Sequence, residues 1–224
     1  PFSALHAFNG GSLEDPEESI FYNLTHIQES RRCRAIRRIG ELASAGALTG
    51  LTKRTIEDLL LPLTLVTALP NSPEAVVSEA MQNDSILSSG QVLARLPWGS
   101  FARRILDMTR ELSAERKQGC WKKAALRLLP AMISNFRVSS ELIEWTAFSM
   151  RVHENVIPAM FTLLHQSTAG ASDKDALKYS IRVPIAVSIG HLIKLVSRGD
   201  LTVPSVQIHL PRLFAALLNI LKVK

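Results

Sequence analysis

Apolar residues recur along most of the chain at spacings of three and four, which place them on one face of an α-helix. A first run extends from Phe21 to Ile27, pauses at a polar stretch, and resumes at Ala35. Acidic residues before this run suit a helix N-terminus, so a helix is expected to begin near Glu17. The pause predicts a bend or break, and Gly46 and Gly50 are expected to end the segment.

The same periodicity predicts helices through the rest of the chain. Thr52 is expected to begin the next one, and the stretch 74–96 is expected to be interrupted around Asn83–Ser85. The predicted helices are 52–69, 74–96, 97–112, 119–136, 141–150, 153–166, 177–196 and 204–223. Strand-like alternation and hairpin turns are essentially absent, so the predicted fold class is all-α.

Prolines recur inside these apolar helical patterns, where each removes one backbone hydrogen bond and kinks the helix. They are Pro62, Pro130, Pro158, Pro184 and Pro211. Bent helices are typical of an α-solenoid of HEAT or armadillo-like antiparallel helix pairs. Pairing the helices puts unit starts near 53, 98, 153 and 203, close to the ~40–47-residue period of those repeats. The alternative is an irregular single-core helical domain.

The domain organisation follows from this pattern. Residues 1–18 contain Gly10-Gly11-Ser12 and an acidic cluster around Pro16, and they are expected to form an acidic, Gly-containing linker. Residues 19–224 are expected to form a solenoid segment of about four to five helix pairs. The chain begins at Pro1 without Met and ends in a basic tail, so we interpret it as an excerpt of a longer chain.

Composition narrows the function classes. With 26 basic and 20 acidic residues the net charge is +6, which leaves an acidic partner open. Two cysteines exclude a disulfide framework and a Cys-x-x-Cys metal cage. The longest uncharged stretch, from Leu59 to Pro73, carries three prolines and is shorter than the ~20 residues of a membrane span. We therefore expect neither secretion nor membrane insertion.

No catalytic motif is present, so an enzyme, a metal site and a cofactor are not expected. The histidines are scattered without metal-ligand spacing and are interpreted as surface or core-edge residues: His6, His26, His153, His165, His191 and His209. Cys33 lies among arginines, which would depress the pKa of its thiol, but it is interpreted as an ordinary helical residue. Trp98, Trp121 and Trp145 are expected to anchor the core.

The densest charge feature is the run of Arg31, Arg32, Arg34, Arg37 and Arg38. Three of them, at i, i+3 and i+7, form one helical stripe opposite Ile36 and Ile39. Arginine's planar fork suits phosphate and carboxylate, so these five residues are the candidate contact site for RNA or an acidic protein segment. The alternative is internal pairing with acids such as those of the linker.

A weaker basic region is interpreted as solvated surface. Its members are Arg103, Arg104, Arg110, Arg116, Lys117, Lys122 and Lys123.

The segment Ser19–Gln28 followed by Arg31–Arg38 resembles the giant HEAT-repeat subunit of the small-subunit processome, the family called down-regulated in metastasis in animals and U-three protein twenty in fungi. The resembling pattern is an acidic stretch, paired aromatics, His-Ile-Gln and an arginine-dense run. Leu-Leu-Pro-Leu at 60–63, Leu-Pro-Trp at 96–98 and Arg-Val-Pro-Ile-Ala at 182–186 also fit it. The likeness extends, with decreasing specificity, over most of residues 15–224.

The resemblance implies an internal fragment of a non-enzymatic nucleolar scaffold in the 90S pre-ribosome, acting in pre-rRNA processing. It implies other processome assembly factors as partners, with pre-rRNA or small nucleolar RNA as further candidates, and neither a membrane nor a small-molecule substrate. The residues themselves indicate only an all-α, solenoidal, non-enzymatic piece. The alternative function is a HEAT-repeat nuclear-transport or cargo-binding adaptor without an RNA role, which predicts an acidic inner surface.

Overall fold

The computed structural model describes residues 2–10, 15–48, 50–69, 78–114, 119–137, 142–166, 175–198, 200 and 202–222. Within these ranges the chain is helical and contains no strand, which confirms the all-α prediction. The α-helices are α1 (Phe2–Asn9), α2 (Ile20–Leu24), α3 (Glu29–Ser44), α4 (Lys53–Thr55), α5 (Leu61–Ala68), α6 (Glu79–Leu93), α7 (Trp98–Ser113), α8 (Gly119–Asn135), α9 (Leu142–Arg151), α10 (Ile157–Gln166), α11 (Asp175–Ser197) and α12 (Pro204–Lys222). A 3₁₀ turn covers Pro16–Glu18, and π-helical turns cover Ile56–Leu60 and Val152–Val156.

The N-terminal segment differs from the expected linker. Residues 2–9 form α1, and buried Phe8 packs against Phe21 of α2 with ring centroids 6.5 Å apart. The Oδ1 atom of Asn9 accepts hydrogen bonds from the Ser19 hydroxyl and the Phe21 N–H at 2.9 and 3.0 Å. These contacts fix a helix too short for its apolar spacing to stand out in the sequence. Residues 11–14 lie outside the described ranges.

The ends of the next helices follow local capping chemistry. The first run begins at Ile20, later than expected, because the Ser19 hydroxyl caps it by accepting the Tyr22 N–H. A break does separate α2 from α3, but it lies at Thr25–Gln28, earlier than predicted, because the polar stretch from Glu29 onward is already helical within α3. Gly46 follows α3 with φ +82°, a conformation that suits glycine. Thr52 begins the next helix, with its Oγ1 atom accepting the Thr55 N–H at 3.1 Å.

The interruption predicted around Asn83–Ser85 is wrong, because α6 runs unbroken through these residues. Each of the three polar side chains is hydrogen-bonded to a different helix: Asn83 to Arg127 of α8, Asp84 to Arg37 of α3, and Ser85 to Thr67 of α5. These residue types are common in turns, but here their side chains connect α6 to three neighbouring helices.

The prolines lie in helices, as predicted. Pro62 and Pro158 each follow a π turn, in which the Leu61 and Ile157 N–H groups donate to the Ile56 and Val152 carbonyls. The wider turn accommodates the missing proline N–H. Through the second turn α9 continues into α10 without a break, whereas the sequence suggested two separate helices.

Helix packing alternates along the chain. Helices α3, α6, α8 and α11 pack side by side in that order and form a first layer. Helices α5, α7, α10 and α12 form a second layer, in which α5 packs on α6, α7 on α8 and α10, and both α10 and α12 on α11. One continuous apolar core extends from Phe8 to Ala216 between the layers.

Small residues let the first-layer helices approach closely. A Cβ atom on Gly40 of α3 would collide with Ser88 and Gln91 of α6, and one on Gly90 would lie 3.1 Å from the backbone of Ala131 in α8. The Ser88 hydroxyl uses this proximity to donate a 2.8 Å hydrogen bond to the Ile36 carbonyl.

Helix α11 contains one segment, Ser180–Ser197, that is long and apolar enough to cross a membrane by length and composition alone. Half of that segment is buried within the fold, and a core helix can meet the same criteria of length and composition.

Candidate functional site

Helix α3 presents the arginine-dense run because its two faces differ in polarity. Ala35, Ile36, Ile39 and Ala43 are buried in the core, so the arginines between them are directed toward the surface and the flanking segments. The structure assigns these arginines different surroundings, which the spacing alone does not distinguish.

Arg31 and Arg32 are engaged at the start of α3. The Nη2 atom of Arg31 lies 3.1 Å from the Glu17 carboxylate, so the acidic segment folds back onto the helix. The Nη1 atom of Arg32 donates to the carbonyls of His26 and Ile27 at 2.7 and 2.8 Å. Both side chains therefore stabilise the region where α2 leads into α3. At these two positions the arginines bind groups within the chain, as the alternative expectation of internal pairing requires.

Arg37 and Arg38 form ion pairs nearer the surface. Arg37 lies 3.0 Å from the Asp84 carboxylate and links α3 to α6. Arg38 lies 3.6 Å from Glu41 one turn along, and both side chains are more than half exposed. An exposed pair of this kind contributes about 0–1 kcal/mol, so an external anion can displace Glu41 at little cost.

Arg34 is exposed and forms no hydrogen bond or ion pair with the described part of the chain. It borders a groove of about 460 Å³ between α1, the acidic segment and α3, which is also lined by Glu17, Glu18 and Arg38. A guanidinium in this position can donate hydrogen bonds to a phosphate or carboxylate without breaking an internal bond. Arg34, with Arg38 beside it, is thus the accessible part of the predicted five-arginine site, and contact with RNA or an acidic segment stays a prediction.

The weaker basic region is divided among several surfaces. Arg103, Arg104 and Lys123 are exposed, and Arg110 lies 3.9 Å from Asp107. Positions 116 and 117 lie outside the described residues. Arg127, which sequence reasoning did not single out, is exposed on α8 and donates to Asn83.

Cys33 has a raised pKa, contrary to the expected depression. Burial is the main cause, and the carboxylates of Asp84 and Glu29 add to it, outweighing Arg37 and Arg32. The thiol is therefore mostly protonated at neutral pH.

The histidines are not all isolated. The Nδ1 atom of His153, on the π turn before α10, lies 2.6 Å from the Nε2 atom of His209 in α12. Burial, with His153 and Arg212 nearby, lowers the pKa of His209 to about 4. The two residues are 56 positions apart, about the predicted interval between helix pairs. The interval between the helices was the only sequence signal for this pair.

The tryptophans occupy different depths. Trp121 is buried in the core, as predicted. Trp98 is partly buried with its ring edge-on to Phe148, and the Arg198 guanidinium lies 4.7 Å from the Trp145 ring centroid.

The described residues contain no group of three or more His, Cys, Asp or Glu side chains placed to hold a metal ion. Comparison of the whole chain with protein-family models, curated proteins and solved structures finds no match.

Proposed function

We propose that this chain is a segment of a HEAT-like α-solenoid that acts as a non-enzymatic scaffold in the nucleolar small-subunit processome. In this role it binds other assembly factors during pre-rRNA processing, and α3 offers a contact for RNA phosphate or an acidic protein segment. The proposal extends the resemblance carried by residues 19–38 and the later proline motifs.

The alternating layers support the solenoid part of the proposal. Each first-layer helix packs on the preceding and following first-layer helices, and second-layer helices cover them in chain order. The π turns before Pro62 and Pro158 recur about two predicted repeat lengths apart. Recurrence with contacts between neighbouring units is the organisation expected of stacked helical repeats.

The exposure of Arg34 is the observation that supports the proposed binding of RNA or an acidic segment. Arg34 has no partner among the described residues, and lies beside weakly paired Arg38 on a helix otherwise fixed by internal bonds. An unneutralised arginine on a rigid helix is suited to a phosphate or a carboxylate, because binding requires little reordering.

The test is affinity purification of the tagged chain from eukaryotic cells, scoring small-subunit precursor rRNA and assembly factors. The variant Arg34→Glu/Arg38→Glu is compared with Lys123→Glu/Arg151→Glu, an equal charge change at exposed positions of α8 and α9. Loss of precursor rRNA only with the α3 variant supports the proposal. Absence of precursor rRNA and assembly factors from the wild-type sample contradicts it, and capture of unrelated cargo instead favours the adaptor.

A further inference from the structure

A groove runs between α5 and α7 on the second layer. Two adjoining cavities of about 400 and 270 Å³ form it, and they share Leu65, Arg104 and Asp107 in their linings. The groove extends from Lys53 to Leu69, along α4, the first π turn and α5, and at about 1.5 Å per residue this stretch is about 25 Å long. That length is suited to four or five turns of a bound helix.

The floor of the groove is apolar. Leu61, Leu65 and Trp121 contribute buried side chains to it, and Val66 remains 64% exposed at its edge. Exposed apolar surface in a concave, rimmed groove is typical of a binding surface.

The groove is lined by three basic residues, Lys53, Arg103 and Arg104, and by three acidic ones, Glu57, Asp107 and Glu111, and these residues differ in whether they are paired. Lys53 lies 3.8 Å from Glu57 and Arg110 lies 3.9 Å from Asp107, so these acids are already engaged. Glu111 also takes part in an interaction within the chain. Arg103 and Arg104 are exposed and form no ion pair within the described part of the chain.

The walls further restrict the occupant. Both are helices, whose backbone groups are already hydrogen-bonded, so neither offers an edge to an added strand. A helix satisfies its own backbone and can lay apolar side chains at i, i+3 and i+4 on the floor.

We propose that the groove between α5 and α7 binds a short amphipathic helix of a partner protein, with apolar side chains on Leu65 and Val66 and carboxylates on Arg103 and Arg104. This surface is separate from α3, and the proposal does not depend on the processome role.

The test selects peptides from a display library of random 18-residue sequences on the purified chain. The affinities of the selected peptides, labelled with a dye, are then measured by fluorescence anisotropy. The selected peptides should combine helical apolar spacing with acidic residues. Arg103→Glu/Arg104→Glu should weaken the binding of these peptides about tenfold. Peptides in which Asn or Gln replaces the acidic residues should bind the unmodified chain about tenfold more weakly.

The variant Arg34→Glu/Arg38→Glu carries the same charge change on α3 and should leave peptide binding unchanged. Val66→Asp, at an exposed position, provides a second groove variant that should also weaken binding. Circular dichroism melting checks that all variants fold. Selection without acidic enrichment, equal losses in both arginine pairs, or displacement of the peptide by a single-stranded RNA oligomer would overturn the proposal.

Discussion

The Nδ1 atom of His153 and the Nε2 atom of His209 lie 2.6 Å apart at the contact between the π turn before α10 and helix α12. With both rings neutral, one nitrogen donates and the other accepts. His209 is 3% exposed, stacks on Phe161 and lies near Arg212, so a second proton would place like charges together with little solvent to screen them. His209 is therefore compatible with the folded state mainly when its own ring is neutral.

This pair should make stability depend on pH. The pKa of His209 is about 4 in the folded chain against an ordinary 6.5, so the unfolded state binds a proton that the folded state does not between these values. The free energy of unfolding should fall as pH falls through this window, by about 2 kcal/mol between pH 7 and pH 5. Urea unfolding at several pH values measures it.

The variant His209→Phe should flatten that pH dependence, while His6→Gln, at an exposed position on α1, should leave it intact. An equally steep dependence in His209→Phe would mean that other groups cause it.

The contact between α6 and α8 should be sensitive to a single methyl group. A Cβ atom at Gly90 would lie 3.1 Å from the Ala131 backbone, and a backbone cannot rotate out of the way as a side chain can. Gly90→Ala should therefore lower the free energy of unfolding by about 1–3 kcal/mol despite alanine's better helix propensity.

Gly99→Ala is the matched control, because a Cβ atom there meets nothing within 4 Å. It should be neutral or stabilise by up to about 1 kcal/mol. Denaturant unfolding of the two variants compares them, and equal effects would show that the close approach is unimportant.

Apolar periodicity predicted the longer helices well because it reflects burial in a continuous core; α7 and α8 begin and end within a residue or two of the expected positions. It did not predict how Asp84 and Asn83 are satisfied, since their partners Arg37 and Arg127 lie 47 and 44 positions away. The partners of the candidate site were unpredictable for the same reason. Sequence placed the arginines on one helix, but only the fold separates Arg34 from those that contact Glu17, Asp84 or backbone carbonyls.

Cys33 should react slowly with alkylating reagents at neutral pH, because burial and nearby carboxylates raise the pKa of its thiol. Asp84→Asn removes one of these charges and should lower that pKa, so the alkylation rate at a given pH should rise. Iodoacetamide kinetics between pH 7 and pH 10, in a Cys120→Ser background, measure the change. The variant Glu79→Gln, which removes a charge elsewhere on α6, should leave the rate unchanged.

Arg32 and Arg34 should differ in what their removal does, although they are two residues apart. Arg32→Gln leaves the His26 and Ile27 carbonyls without their guanidinium donor and should cost about 1–2 kcal/mol of unfolding free energy. Arg34→Gln breaks no internal bond among the described residues and should change stability by less than about 0.5 kcal/mol. Thermal and urea unfolding separate the two effects. A destabilisation of Arg34→Gln as large as that of Arg32→Gln would mean that Arg34 supports the fold, and would leave the weakly paired Arg38 as the arginine of α3 that a partner could engage.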